Sequence, residues 1–107
     1  EIFKNYMDRV RAEGINVPII PGIKVITSPR QLTAIPRDFH VNLPQGLVEK
    51  ILAAKDPSAA RKAGVDFATG LCAGLYEQKV PCLHFYTMGR GQAVAEVLSN
   101  LKQKGII

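Results

Sequence analysis

Only two stretches of this chain read as β-strands, and a long helical pattern lies between them. The first is Val17-Pro18-Ile19-Ile20-Pro21-Gly22-Ile23-Lys24-Val25, and the second runs from Cys82 to Thr87. Strands that alternate with helices point to a parallel sheet. Apolar residues on both faces of the first run suit a strand covered on both sides. Pro18 and Pro21 remove backbone donors and shorten its regular part. In the second run, Leu83, Phe85 and Thr87 share one face, while His84, Tyr86 and Met88 share the other.

The helices are legible from apolar spacing and end signals. Residues 2–13 place Ile2, Phe3, Tyr6 and Val10 on one side, and Gly14 can cap the end. Ser28-Pro29-Arg30-Gln31 reads as a start, with Ser28 as cap and Gln31 at the capping-box position. Leu32 and Ile35 supply its stripe, and Pro36 is expected to end or kink it. A second start lies at Asn42-Leu43-Pro44-Gln45, with Leu47, Val48, Ile51 and Leu52 on one face. A third begins at Asp56-Pro57 and runs to about Gln78, with Ala60, Gly64, Phe67, Ala68, Leu71 and Leu75 inward. Gly70 and Gly74 are expected to permit close packing, although each costs about 1 kcal/mol of helix propensity. The last helix spans about Gly91 to Lys102, with Val94, Val97, Leu98 and Leu101 as its stripe and Gly105 past its end.

Two strands cannot bury the apolar faces of five helices, and a two-stranded sheet is marginal without further partners. The pattern reads as α/β: the C-terminal portion of a (β/α)8 TIM barrel, contributing two parallel strands with flanking helices. Such a barrel typically runs to about 250 residues. Residues 1–107 are then expected to be the C-terminal fragment of one such domain. The chain opens at Glu1 in helical pattern, without an initiating Met, as a piece of a longer or processed protein would.

Composition narrows the partners. Hydrophobic residues make up 47% and charged residues 21%, ordinary for a globular chain. No apolar run approaches the roughly 20 residues needed to cross a bilayer, so no membrane partner is expected. The net charge of +5 is spread along the chain rather than clustered among aromatics, so no nucleic-acid partner is expected. Anionic small molecules remain plausible. Cys72 and Cys82 lack metal-ligand or disulfide spacing and read as buried free thiols in a reducing compartment.

Ligands of parallel α/β proteins bind at the carboxyl ends of strands. Arg90 sits there between Gly89 and Gly91, where a guanidinium can grip a carboxylate or phosphate, or simply lie in a surface turn. Tyr86 and Met88 share a strand face below it, as pocket lining or as core filling. His84 lies deeper and reads as a core histidine. Gln31 follows the first strand, as a cap or as a reader of a polar heterocycle. The carboxylates are unpaired, and there is no triad, metal cluster, GxGxxG fingerprint or P-loop. No catalytic residue and no metal ligand are expected in this chain. On the residues alone, an anion- or phosphate-binding α/β module without its own catalysis is the alternative reading.

The run His84-Phe85-Tyr86-Thr87-Met88-Gly89-Arg90 resembles the HFYTLNR-type signature at the last barrel strand of methylenetetrahydrofolate reductases. Ile19-Ile20-Pro21-Gly22-Ile23, Arg30-Gln31-Leu32 and Leu43-Pro44 are similar to that family's sequence in the same order. The resemblance implies an oxidoreductase reducing 5,10-methylenetetrahydrofolate to 5-methyltetrahydrofolate with NAD(P)H, through FAD, on a (β/α)8 barrel. It implies that Gln31 and Arg90 contact the folate, and that Tyr86, Met88 and Ile35 line the same pocket. It also implies that the catalytic glutamate and most FAD contacts lie on earlier strands, and that the fragment alone is inactive. A cytoplasmic homo-oligomer of one-carbon metabolism and methionine biosynthesis is the expected parent, with folate and a nicotinamide dinucleotide as partners. Met88-Gly89 stands where the family usually has Leu-Asn. Ile35 stands where it often has an aromatic, and Lys24 and Val25 also depart.

Overall fold

A computed structural model describes all residues, 1–107. In chain order it contains α1 (Ile2–Ala12), β1 (Gly22–Ile23), α2 (Pro29–Phe39), α3 (Gln45–Leu52), α4 (Pro57–Glu77), β2 (His84–Phe85) and α5 (Gln92–Gln103). The strands pair in parallel, with Gly22 opposite His84 and Ile23 opposite Phe85. The expected parallel α/β order is therefore present, in a two-stranded sheet. The regular strands are much shorter than the apolar runs, because Pro18 and Pro21 have no N–H for a ladder. The Pro21 carbonyl still accepts from the His84 N–H at 3.0 Å, and the Ile23 carbonyl accepts from the Tyr86 N–H at 2.9 Å.

Alternation along the strands divides the sheet into two faces. Ile23, Val25, Leu83 and Phe85 pack against α4 and α5, joining Val65, Ala68, Cys72, Leu75, Val97 and Leu101 in the main core. A second core gathers Ile26, Leu47, Ile51 and Ala60, with Leu32 and Ile35 of α2 against it. The opposite sheet face, bearing Gly22, Lys24, Tyr86 and Met88, lines open clefts.

Several local expectations change. Pro36 lies inside α2 and does not end it; the helix continues to Phe39 and stops at left-handed His40, φ +54°. Pro36 stands in the last turn of α2, so the helix forgoes one bond to a carbonyl a turn back and continues only a few residues further. Gln31 does not close a capping box on Ser28, whose side chain makes no cap bond. Asp56 does cap α4, its Oδ1 accepting from the Ala59 N–H at 2.8 Å. The inner faces are also narrower than the sequence stripes, because Ile2, Tyr6, Leu52, Leu71 and Leu98 are exposed. Gly70 and Gly74 border open space, so close packing is not their role. Gly64 carries that role instead: α4 passes close over the Ile26–Thr27 segment that follows β1, against the Ile26 carbonyl.

The thiols also differ from one another. Cys72 is fully buried in the main core, whereas Cys82 is exposed, correcting the expectation that both are buried. Burial pushes the Cys72 thiol up to about 11. Iodoacetamide at pH 8 is expected to label Cys82 in the native protein and Cys72 only on unfolding, which peptide mass mapping reads directly. Because the folded thiol is harder to ionise, its stabilising effect is complete below the ordinary thiol range. It is lost as pH rises from there toward about 11.

Candidate functional site

The polypeptide turns sharply at the carboxyl end of β2. Met88 (φ +51°) and Gly89 (φ +81°) are both left-handed, and the Arg90 N–H donates to the Thr87 carbonyl at 2.9 Å. Glycine adopts this conformation without steric cost, while methionine does so under some strain. Gly91 has an ordinary φ of −89° and begins α5 without special geometry. The turn brings Arg90 to the mouth of a cleft of about 790 Å³, beside the N-terminal residues of α5.

All five of the residues singled out in the sequence (Gln31, Ile35, Tyr86, Met88 and Arg90) line this one cleft. They come from two distant parts of the chain. The parallel pairing of β1 with β2 sets the following α2 segment beside the turn that ends β2. Arg90 is exposed and makes no ion pair within the chain. Arg61 also borders the cleft, but Glu96 holds it at 2.6 Å.

Gln31 has a defined orientation. Its Oε1 accepts from the Thr27 N–H at 2.6 Å and from the Thr27 hydroxyl at 3.2 Å. A backbone N–H can only donate, so this bond fixes which end of the amide is oxygen. The Nε2 donors are left for another partner. Gln31 thus ties down the strand–helix junction and still offers two N–H groups.

Tyr86 is held by its neighbours. Its ring stands edge-on to His84, with centroids 4.7 Å apart, and lies over Gly22. A Cβ on Gly22 would come within 2.5 Å of the ring. Gly22→Ala is therefore expected to displace the half-exposed Tyr86 ring into the open cleft, at a cost of no more than about 1 kcal/mol. In a Tyr86→Ala background the same change should cost almost nothing, and a double-mutant denaturation cycle measures the difference.

Tyr86, Met88 and Ile35 also border a second, largely apolar cavity of about 440 Å³, together with Phe39 and Lys24. Phe39 escaped the sequence reading. It lies one turn beyond Ile35 on the same side of α2, borders both cavities and is 52% exposed. The i,i+4 spacing was available as a signal, but an α2 ending at Pro36 excludes it. Phe39 supplies an aromatic ring beside Ile35. Lys24 is the other omission: it borders both cavities, and partial burial lowers its pKa.

Together the two cavities offer the cations of Lys24, Arg61 and Arg90, the amides of Gln31 and Gln92, one tyrosine and apolar walls. No carboxylate lines either of them. The arrangement can hold an elongated, partly aromatic, negatively charged ligand. It has neither a paired acid and base nor an activated nucleophile.

The methylenetetrahydrofolate reductase family pattern matches residues 1–102. The chain is 33% identical over 100 residues to methylenetetrahydrofolate reductase 1 of Schizosaccharomyces pombe, covering 92% of this chain and 17% of that protein. It is 30% identical over 103 residues to a probable methylenetetrahydrofolate reductase (NADPH) of Caenorhabditis elegans, covering 94% of this chain and 16% of that protein. To the 5,10-methylenetetrahydrofolate reductase of Escherichia coli it is 28% identical over 93 residues, covering 86% of this chain and 31% of that protein. The chain thus spans less than a third of the length of these relatives. With a family match over nearly all its residues, this chain belongs to the methylenetetrahydrofolate reductase family.

Proposed function

We propose that this chain supplies part of the folate site of a flavin-dependent oxidoreductase that reduces 5,10-methylenetetrahydrofolate to 5-methyltetrahydrofolate with NAD(P)H. The observation that carries the reading is the convergence of Gln31, Ile35, Tyr86, Met88 and Arg90 on one cleft beyond the carboxyl ends of parallel strands. In a (β/α)8 barrel that end carries the chemistry. Membership of the family supports the same reading.

Each residue has a physical role in this proposal. Arg90 grips a carboxylate of the substrate's glutamate in a charge-assisted pair. Gln31 donates from Nε2 to a carbonyl or ring nitrogen, its oxygen being engaged by Thr27. Tyr86, Met88 and Ile35 form the walls that exclude water around the flat part of the ligand. The flavin supplies the hydride chemistry when bound. The polar side chains of the apolar cavity are Lys24 and Tyr86, which is not a donor set for a dinucleotide. The flavin contacts and the catalytic carboxylate are therefore assigned to parts of the polypeptide outside these residues. A cytoplasmic homo-oligomeric parent belongs to the same proposal. In this chain no helix is long and apolar enough to cross a membrane.

The test is spectroscopic. The product of the complete reading frame containing these residues is purified, and its visible spectrum is recorded. A flavin spectrum that bleaches with NAD(P)H and recovers on adding methylenetetrahydrofolate is the expected result. A colourless protein, or a reduced flavin indifferent to the folate, overturns the reading and leaves an anion-binding module.

A further inference from the structure

Gln31 is held by two donors of a single residue. The Thr27 backbone N–H donates to its Oε1 at 2.6 Å, and the Thr27 hydroxyl donates to the same oxygen at 3.2 Å. An amide oxygen has two lone pairs, so both are engaged. Turning the amide over would set its NH2 group against the backbone N–H, donor against donor. Gln31 can therefore give hydrogen bonds to a ligand and has no free lone pair to take one. Thr27 is itself firmly placed. Ile26 before it is buried in the second core, and Gly64 lets α4 rest against the same segment. A Cβ on Gly64 would overlap the Ile26 carbonyl and lie 3.4 Å from the Thr27 Cα. Thr27 and Gln31 are both half-buried, and both line the cleft that Arg90 borders. Tying down the start of α2 needs only the backbone N–H, which almost any residue at position 27 supplies. The hydroxyl is the addition that closes the second lone pair.

We propose that Thr27 is a positioning residue of the substrate cleft: with its N–H and its hydroxyl together it makes Gln31 a fixed, one-way donor, so that the cleft reads an acceptor atom of the ligand at this point. The proposal rests on the folate-site reading and deepens it. Thr27 acts through Gln31 and not on the ligand. Without the hydroxyl, water takes the open lone pair of Oε1 and the amide swings about its one remaining bond. The donor is then ordered only at the expense of binding.

The test uses the flavin-loaded product of the complete reading frame, with 5-methyltetrahydrofolate as the probe. Its dissociation constant is measured by titration calorimetry for wild type, Thr27→Val, Thr27→Ser, Gln31→Ala and the Thr27→Val/Gln31→Ala pair. Thr27→Val, which keeps shape and backbone N–H, is expected to weaken binding about fivefold, the worth of one neutral hydrogen bond. Thr27→Ser keeps the hydroxyl and should bind as wild type does. Gln31→Ala should weaken binding by about tenfold or more, and adding Thr27→Val to it should change nothing further. A structural role of Thr27 would instead lower the denaturation midpoint and leave the dissociation constant alone. Thr27→Val that binds like wild type while Gln31→Ala does not, or that weakens binding equally with and without Gln31, overturns the role of Thr27 and leaves the folate-site reading standing. Serine that fails to restore binding overturns it as well. Wild type that does not bind the probe overturns both.

Discussion

Gly64→Ala is expected to lower folding stability by about 3 kcal/mol or more. A Cβ at this position would lie 1.6 Å from the Ile26 carbonyl oxygen and 2.8 Å from its carbon. Those atoms are backbone, so no side-chain rotation relieves the overlap. Either α4 lifts away from the sheet or the Ile26–Thr27 segment moves. Both responses open buried packing, because Ile26 anchors one core and the neighbouring Val25 the other. The second response also moves Thr27, the donor that orients Gln31. Gly70 and Gly74 on the same helix are internal controls, since a Cβ at either meets nothing within 4 Å. Alanine there should stabilise by about 0.5–1 kcal/mol through helix propensity. Denaturant titration of the three variants, made in the product of the complete reading frame, reads the predicted difference in sign. Equal effects at all three positions would refute the close approach of α4 to the Ile26–Thr27 backbone.

Arg90→Ala is expected to weaken folate binding by roughly fiftyfold, with the flavin spectrum and folding stability unchanged. Removing a charge-assisted, two-pronged contact to a carboxylate typically costs about 1.5–3 kcal/mol, and each 1.4 kcal/mol is tenfold. Arg90 is exposed and makes no ion pair in this chain, so its loss leaves no buried group orphaned. Its effect therefore belongs to the ligand rather than to the fold. Lysine at the same position keeps the charge but not the planar fork, and should recover only part of the affinity. The measurement is the folate concentration needed for half-maximal recovery of the bleached flavin. Recovery at wild-type concentrations would exclude Arg90 from the substrate site.

The kind and order of the elements were legible from local residue patterns alone. Helical periodicity, Asp56 before Pro57 and the two apolar runs are local signals, and local signals survive into the fold. The motif around Arg90 and the position of Gln31 were legible too, because side-chain type and nearness to a strand end are sequence properties. Tertiary structure decided what depends on neighbours distant in the chain. It made Gly64 the close-packed glycine instead of Gly70 or Gly74, since only at Gly64 does another segment's backbone cross the helix. It carried α2 through Pro36 and so brought Phe39 to the cleft. It turned Gln31 onto Thr27 rather than Ser28. It left Cys82 exposed while burying Cys72. The meeting of Gln31 with Arg90 in one cleft also arises from pairing two strands far apart in sequence. Periodicity fixes which side of its own element a residue occupies, but only long-range packing fixes what lies opposite it.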